Sequence, residues 1–256
     1  MNRHAIRHLM SKKVLNIAHR GASGHAPENT MAAFRMAMEM GADAIELDLH
    51  QTADGHLVVL HDFSLKRTTG DPRPVREVPL SEMKTLDAGR WWSKTYRGEP
   101  IPTLEEVLEL TCHRIPLYIE LKRGSPFYPM IETRLTDLIG RLKAHTWVTV
   151  SSFDSQALQT LRDRDPKLSL GLLTRLSEAK PILSLAQTLS ARSIHISTRR
   201  FSPILLRQAR AYGFRVYVYT VNQGAAMREY LNLGVDGLFT NYPDRLVSML
   251  SGQKTA

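Results

Sequence analysis

The sequence predicts an α/β fold, a TIM (β/α)8 barrel with an antiparallel hairpin after its second strand and a small insertion. Three observations carry that expectation. First, short β-rich runs alternate with longer helical patterns from end to end, as in a parallel sheet covered by helices. The runs are 14–18, 44–49, 57–60, 117–121, 147–151, 168–172, 193–196, 215–219 and 237–240, one more than a closed barrel of eight needs. Second, the link from residue 49 to residue 57 is too short for a parallel crossover, so 57–60 must return as a hairpin and eight parallel strands remain. Third, His19, Glu46, Asp48, Glu120 and Lys122 fall at or near the C-terminal ends of strand candidates, where such barrels place their chemistry.

The 256 residues suit one barrel-sized domain, with 63–100 as an insertion and 1–13 as a basic N-terminal segment. Within 63–100 the periodicity is weak and turn residues recur (Thr69-Gly70-Asp71-Pro72, Pro74), which reads as a lid or side module. Asp54-Gly55 is a strong hairpin signal for a two-residue type I′ turn. That turn pairs Ala53 with His56 and, counting back, sets Asp48 opposite His61; Glu46 shares the face of Asp48 because side chains alternate. Asn29 or Thr30 can cap a helix over 31–40 that stops at Gly41, and Thr103 with Glu106 has capping-box spacing.

The formal net charge of +9 favours anionic ligands, but outside 1–13 the cations alternate with acids along helices. No strand interleaves aromatic and basic residues, so nucleic acid is not an expected partner. No apolar run is long enough to span a bilayer, and 1–13 lacks the apolar core of a secretory signal, so the expected location is cytoplasmic. Cys112 is the lone cysteine; it cannot form an intrachain disulfide and reads as a core or near-core residue. Trp91, Trp92 and Phe127-Tyr128 are expected to pack beneath the insertion rather than form an apolar rim. The oligomeric state is open.

Glu46, Asp48 and Glu120 offer hard oxygen ligands and select one divalent cation, Mg2+ or Ca2+, with Mn2+ also accommodated. His19 and His61 are the candidate proton-transfer pair, because imidazole titrates near neutral pH and two rings can serve opposite faces of a phosphorus centre. Arg20 can clamp a phosphate through two nitrogens, and Lys122 can act on it as a point charge. Tyr219 can wall the alcohol portion of a substrate.

The ordered set His19-Arg20-Gly21, Ala26-Pro27-Glu28-Asn29-Thr30, Glu46-Leu47-Asp48, Asp54-Gly55, His61-Asp62, 101–106 and Glu120-Leu121-Lys122 continues through Ser152-Phe153-Asp154 and Asp236-Gly237 to Thr240-Asn241-Tyr242-Pro243. With it, nearly the whole chain resembles the glycerophosphodiester phosphodiesterases. The resemblance implies a TIM barrel with an insertion after the motif histidine. It also implies metal carboxylates at Glu46, Asp48 and Glu120, acid/base histidines at His19 and His61, and phosphate-contacting cations at Arg20 and Lys122. The implied reaction is metal-dependent hydrolysis of a small glycerophosphodiester to glycerol 3-phosphate and an alcohol. Many members carry Trp where this chain has Tyr219, which bears on head-group preference.

Overall fold

In the computed structural model, which describes residues 14–252 and so leaves Met1–Lys13 outside the description, eight parallel strands close into a barrel. They are β1 (Leu15–His19), β2 (Ala44–Gln51), β4 (Leu117–Leu121), β5 (Val148–Ser152), β6 (Ser169–Thr174), β7 (Ser193–Ser197), β8 (Arg215–Tyr219) and β9 (Gly237–Thr240). Pairing of β1 with both β9 and β2 completes the ring. The short β3 (Leu57–Val59) returns antiparallel along the far end of β2. β2 is buried along its whole length because helices cover it on one face and the barrel interior on the other.

The hairpin register differs by one residue from the sequence expectation. Leu49 pairs with Val59 and Gln51 with Leu57, so Leu60, not His61, stands across from Asp48, whose carbonyl accepts its N–H at 3.1 Å. The reason lies in the turn: Thr52 and His56 close it through the His56 carbonyl at 2.9 Å, leaving a three-residue loop of Ala53, Asp54 and Gly55. Only Gly55 takes a positive φ, +88°, so the loop is the bulged three-residue kind rather than type I′. Asp54 is spent on local bonds, accepting from the Thr52 hydroxyl and from the backbone of Leu80 in the insertion.

The helices start where the sequence places them. Thr30 caps Met31–Glu39 by accepting from the Ala33 N–H, and Thr103 with Glu106 forms a reciprocal capping box on Leu104–Thr111. Between barrel and helices lies a continuous apolar layer that includes Phe34, Ile45, Leu47, Leu117, Ile119, Val150, Leu172 and Leu238, all 0–1% exposed. The segment 63–100 has a small core of its own: Leu65, Val75, Val78 and Met83 pack on Val58, Leu60 and Ile101. Trp91 and Trp92, expected beneath that segment, are instead each 38% exposed and stack edge-to-face on one another, because the pocket under the segment is filled by its aliphatic side chains. Phe127-Tyr128 divides: Tyr128 is buried and Phe127 half-buried. Cys112 lies at the end of Leu104–Thr111 as a half-buried free thiol packed against the main core.

The barrel's floor is aromatic. Tyr118, Tyr217 and Phe239 surround His195, which is 1% exposed, with ring centroids 5.1–5.8 Å from its own. Burial pushes His195 down to about 3, so the ring is neutral, with the Ser193 hydroxyl 2.9 Å from Nε2. In the unfolded chain the same ring takes a proton near pH 6.5. A folded value below the unfolded one means that stability is complete above pH 6.5 and is lost as pH falls toward 3, by up to about 1.4 kcal/mol per pH unit. Denaturant midpoints of wild type and His195→Gln between pH 7.5 and 4.5 test this, and the acid loss in the variant should be shallower by about that slope. Equal slopes would contradict the assignment.

Candidate active site

At the end of β1 the chain turns through two left-handed residues, Arg20 at φ +58° and Gly21 at φ +77°. A Cβ on Gly21 would fall 2.7 Å from the carbonyl carbon and oxygen of Ala33, inside the helix Met31–Glu39. Glycine is therefore required twice, for the backbone angle and for the close approach. Gly21→Ala should cost about 2–4 kcal/mol, the left-handed penalty plus displacement of a packed helix. Loss of activity in proportion would follow, because the same turn aims the Arg20 N–H at Glu46 Oε2, 2.9 Å away. A denaturation midpoint close to wild type would refute the requirement.

Strand register then gathers the acids. His19 pairs with Glu46 across β1 and β2, and Asp48 pairs with Glu120 across β2 and β4, so all four side chains share the interior face at the same end of the barrel. One oxygen from each of Glu46, Asp48 and Glu120 lies within 4.8 Å of the others, and together they can hold a metal ion. Asp48 is 0% exposed. Its Oδ2 accepts from Asn29 Nδ2 at 2.7 Å and faces Arg20 Nε at 3.0 Å. Its Oδ1 pairs with Lys122 Nζ at 2.7 Å. Three hard carboxylate oxygens that converge within a few ångströms, one of them on a fully buried side chain, fit a hard divalent ion.

Charge is divided unequally among the three. Burial alone would push Asp48 up, but Lys122 and Arg20 outweigh it and hold this carboxyl well below its usual range. Burial, with Asp48 and Glu120 as neighbouring charges, pushes Glu46 well up. Glu120 is also raised, by burial first, against the pull of Lys122 at 2.8 Å. Arg20 and Lys122, expected to meet phosphate, both stand against acids: Arg20 bridges Asp48 and Glu28, and Lys122 bridges Asp48 and Glu120.

Both candidate histidines are tied at Nδ1. His19 Nδ1 donates to Asn241 Oδ1 at 2.8 Å, which leaves the Nε2 lone pair toward Glu46 at 4.0 Å. Burial first and Arg20 second push His19 down to about 4, so the ring is neutral at pH 7. His61 follows β3 and its Nδ1 meets Asp62 Oδ1 at 2.7 Å.

These residues lie in a chain segment, 19–245, that matches the glycerophosphoryl diester phosphodiesterase family. The chain belongs to this family. It is 39% identical over 239 residues to a glycerophosphodiester phosphodiesterase of Caldanaerobacter subterraneus, covering 93% of this chain and 98% of that one. It is 36% identical to a Bacillus subtilis enzyme of the same name, over 92% of this chain and 86% of the other. Among solved structures, a glycerophosphodiester phosphodiesterase from Agrobacterium tumefaciens superposes with a TM-score of 0.81 at 32% identity, covering 93% of this chain and all of that one. A phosphodiesterase from Oleispira antarctica in complex with the product sn-glycerol-3-phosphate superposes at 0.86 with 29% identity, covering 92% and 96%.

As a glycerophosphodiester phosphodiesterase, the chain is a hydrolase of phosphoric diesters. Its cleft, about 610 Å3, is lined by His19, Arg20, His61, Glu120, Lys122 and Tyr219 among others, so six of the eight sequence-derived candidates meet in one space, while the buried Glu46 and Asp48 are not on its surface. Burial pushes the Tyr219 hydroxyl up to about 12, which keeps it a protonated donor. Several members of the site had no assigned part in the sequence reading. Asn29 grips Asp48 from both sides, donating to Oδ2 and accepting from the Asp48 N–H at 3.3 Å. Asn241 fixes the His19 ring. Arg67, from the insertion, donates to Asp62 at 2.6 Å and to both Glu28 oxygens at 2.7 and 3.0 Å, joining the supports of His61 and Arg20. Asn29, Asp62 and Asn241 stand inside the motifs named above and could have been found as polar motif residues without a role of their own. Arg67 carries no such signal. Among the described residues no helix is long and apolar enough to cross a membrane.

Proposed function

We propose that the enzyme, working as one barrel domain over 1–256 with 63–100 as its insertion, hydrolyses glycerophosphodiesters by a metal-dependent acid/base mechanism. The products are glycerol 3-phosphate and an alcohol. The observation that carries this reading is the meeting of three buried carboxylates with two histidines that are each tied at Nδ1 and so keep Nε2 for the substrate. The relative bound to sn-glycerol-3-phosphate supports the assignment of that product.

Glu46, Asp48 and Glu120 would hold Mg2+ or Ca2+, with Mn2+ as an alternative, since all three present hard oxygens. When bound, the ion supplies Lewis-acid polarisation and orients the phosphate. His19, neutral and with its Nδ1 proton committed to Asn241, takes the proton of the attacking oxygen at Nε2. His61, oriented by Asp62, gives a proton from Nε2 to the departing alcohol oxygen. Arg20 and Lys122 sit where non-bridging phosphate oxygens can join the acids as their partners, and they stabilise charge that grows in the transition state. Tyr219 forms the wall along which the alcohol leaves.

Glu120→Gln tests the metal assignment. It removes one ligand charge at the cleft edge, where Glu120 is still partly exposed. Activity should fall at low metal and return as metal is raised, with the folded state retained. Loss that excess metal does not restore, together with a lowered denaturation midpoint, would make Glu120 a structural residue instead. Exposed Trp91 and Trp92, with the Arg67 guanidinium 5.5 Å from the Trp91 ring, favour one rival: action on intact lipid at a surface. Co-sedimentation with anionic vesicles would support that rival, and its absence would remove it.

A further inference from the structure

The wall beside Tyr219 continues outward as a stacked series that ends on an arginine. Phe153, at the end of β5, meets Tyr219 edge-to-face with centroids 6.4 Å apart, and the Arg175 guanidinium lies 4.2 Å over the Phe153 ring. Arg123, which follows Lys122 after β4, lines the same cleft. Arg123 and Arg175 are both exposed, and neither has a carboxylate partner among the described residues. The three acids on the lining are engaged elsewhere, Glu120 with Lys122 at 2.8 Å. Asp154 accepts from the N–H groups of Gln156, Ala157 and Gly124, and Asp62 is held by His61 and Arg67.

Two consequences follow for the alcohol that leaves along this wall. A quaternary ammonium head group binds best over an open aromatic face. Here the face of Phe153 is already covered by a cation of the protein, which repels a second one. An anion in the same cleft would instead find two arginines on its lining, Arg123 and Arg175, that have no carboxylate partner among the described residues.

We propose that the outer cleft is a subsite for an anionic head group, a phosphate carried by the alcohol moiety, with Arg175 and Arg123 as its ligands. The inference rests on the hydrolase reading above and adds to it the class of alcohol. The substrates it favours are glycerophosphodiesters with a second phosphate remote from the scissile bond, and the one it disfavours is the choline ester.

The test compares glycerophosphoinositol 4-phosphate, glycerophosphoinositol and glycerophosphocholine with the metal-loaded full-length enzyme. The first two differ only by the remote phosphate. Its presence should raise kcat/KM roughly tenfold, mainly through KM, as expected for two exposed arginine contacts. Arg175→Gln and Arg123→Gln should each bring the ratio of the two values down toward one. Arg207→Gln, an exposed position on the helix Pro203–Ala211, controls for the general positive field and should leave the ratio as it is. A wild-type ratio near one, an equal fall with Arg207→Gln, or a preference for the choline ester would each overturn the subsite while leaving the hydrolase reading intact. No turnover of any of the three would overturn the hydrolase reading and the subsite with it.

Discussion

Alanine at position 19 should lower kcat by roughly 10²- to 10⁴-fold, the usual worth of a positioned general base. Three features of the ring set this expectation. Its Nδ1 proton is committed to Asn241 at 2.8 Å, its Nε2 points into the cleft near Glu46, and burial keeps it neutral at pH 7. The histidine side chain is 18% exposed at the barrel mouth, so its removal should disturb packing far less than turnover. Steady-state kinetics paired with a denaturation curve separates the two effects. Near-normal kcat would reject the base assignment, whereas a collapse of stability in step with activity would make His19 structural.

The largest effect on the folded state is expected at Asp48. This carboxylate is 0% exposed and faces Arg20, Lys122 and Asn29, with the cations that hold it charged themselves largely buried. Asp48→Asn keeps the shape but leaves two cations with less compensation, and removing one partner from a buried ion network typically costs about 3–5 kcal/mol. It also removes the charge of the one fully buried candidate ligand, so excess metal should not restore activity, in contrast with Glu120→Gln. A stable Asp48→Asn variant with metal-rescued turnover would contradict the central place given to this residue.

Most of the barrel was legible because both of its signals are local. Each strand is a short apolar run between turns, and the eight parallel strands sit within two residues of the expected positions. The crossover argument also isolated β3 as the antiparallel return. The register of that return was not legible, because Asp54-Gly55 suits both a two-residue and a three-residue loop, and the choice is made by Thr52 and His56 closing around Ala53. Since a one-residue slip exchanges the faces of a strand, the expected pairing of Asp48 with His61 does not form. His61 still reaches the cleft, because it lies just beyond the ladder, where chain direction is set by His50 Nε2 donating to its carbonyl at 3.1 Å. The metal-ligating candidates were legible as carboxylates spaced by two on one strand and matched by a neighbour. The Glu28, Asp62 and Arg67 links were not, since they join residues as far as 39 positions apart through an insertion without periodicity. Trp91 and Trp92 show the same limit: composition marks them as core, but the insertion's aliphatic residues had already filled the space.

Metal-dependent release of glycerol 3-phosphate is measured directly by a coupled assay of that product. The substrates are glycerophosphocholine, glycerophosphoethanolamine and glycerophosphoinositol, each assayed with EDTA and then with Mg2+, Ca2+ or Mn2+ restored. The predicted result is turnover that EDTA abolishes and one of the three ions recovers. Full activity in EDTA would contradict the role given to Glu46, Asp48 and Glu120, and no turnover with any ion would contradict the substrate class.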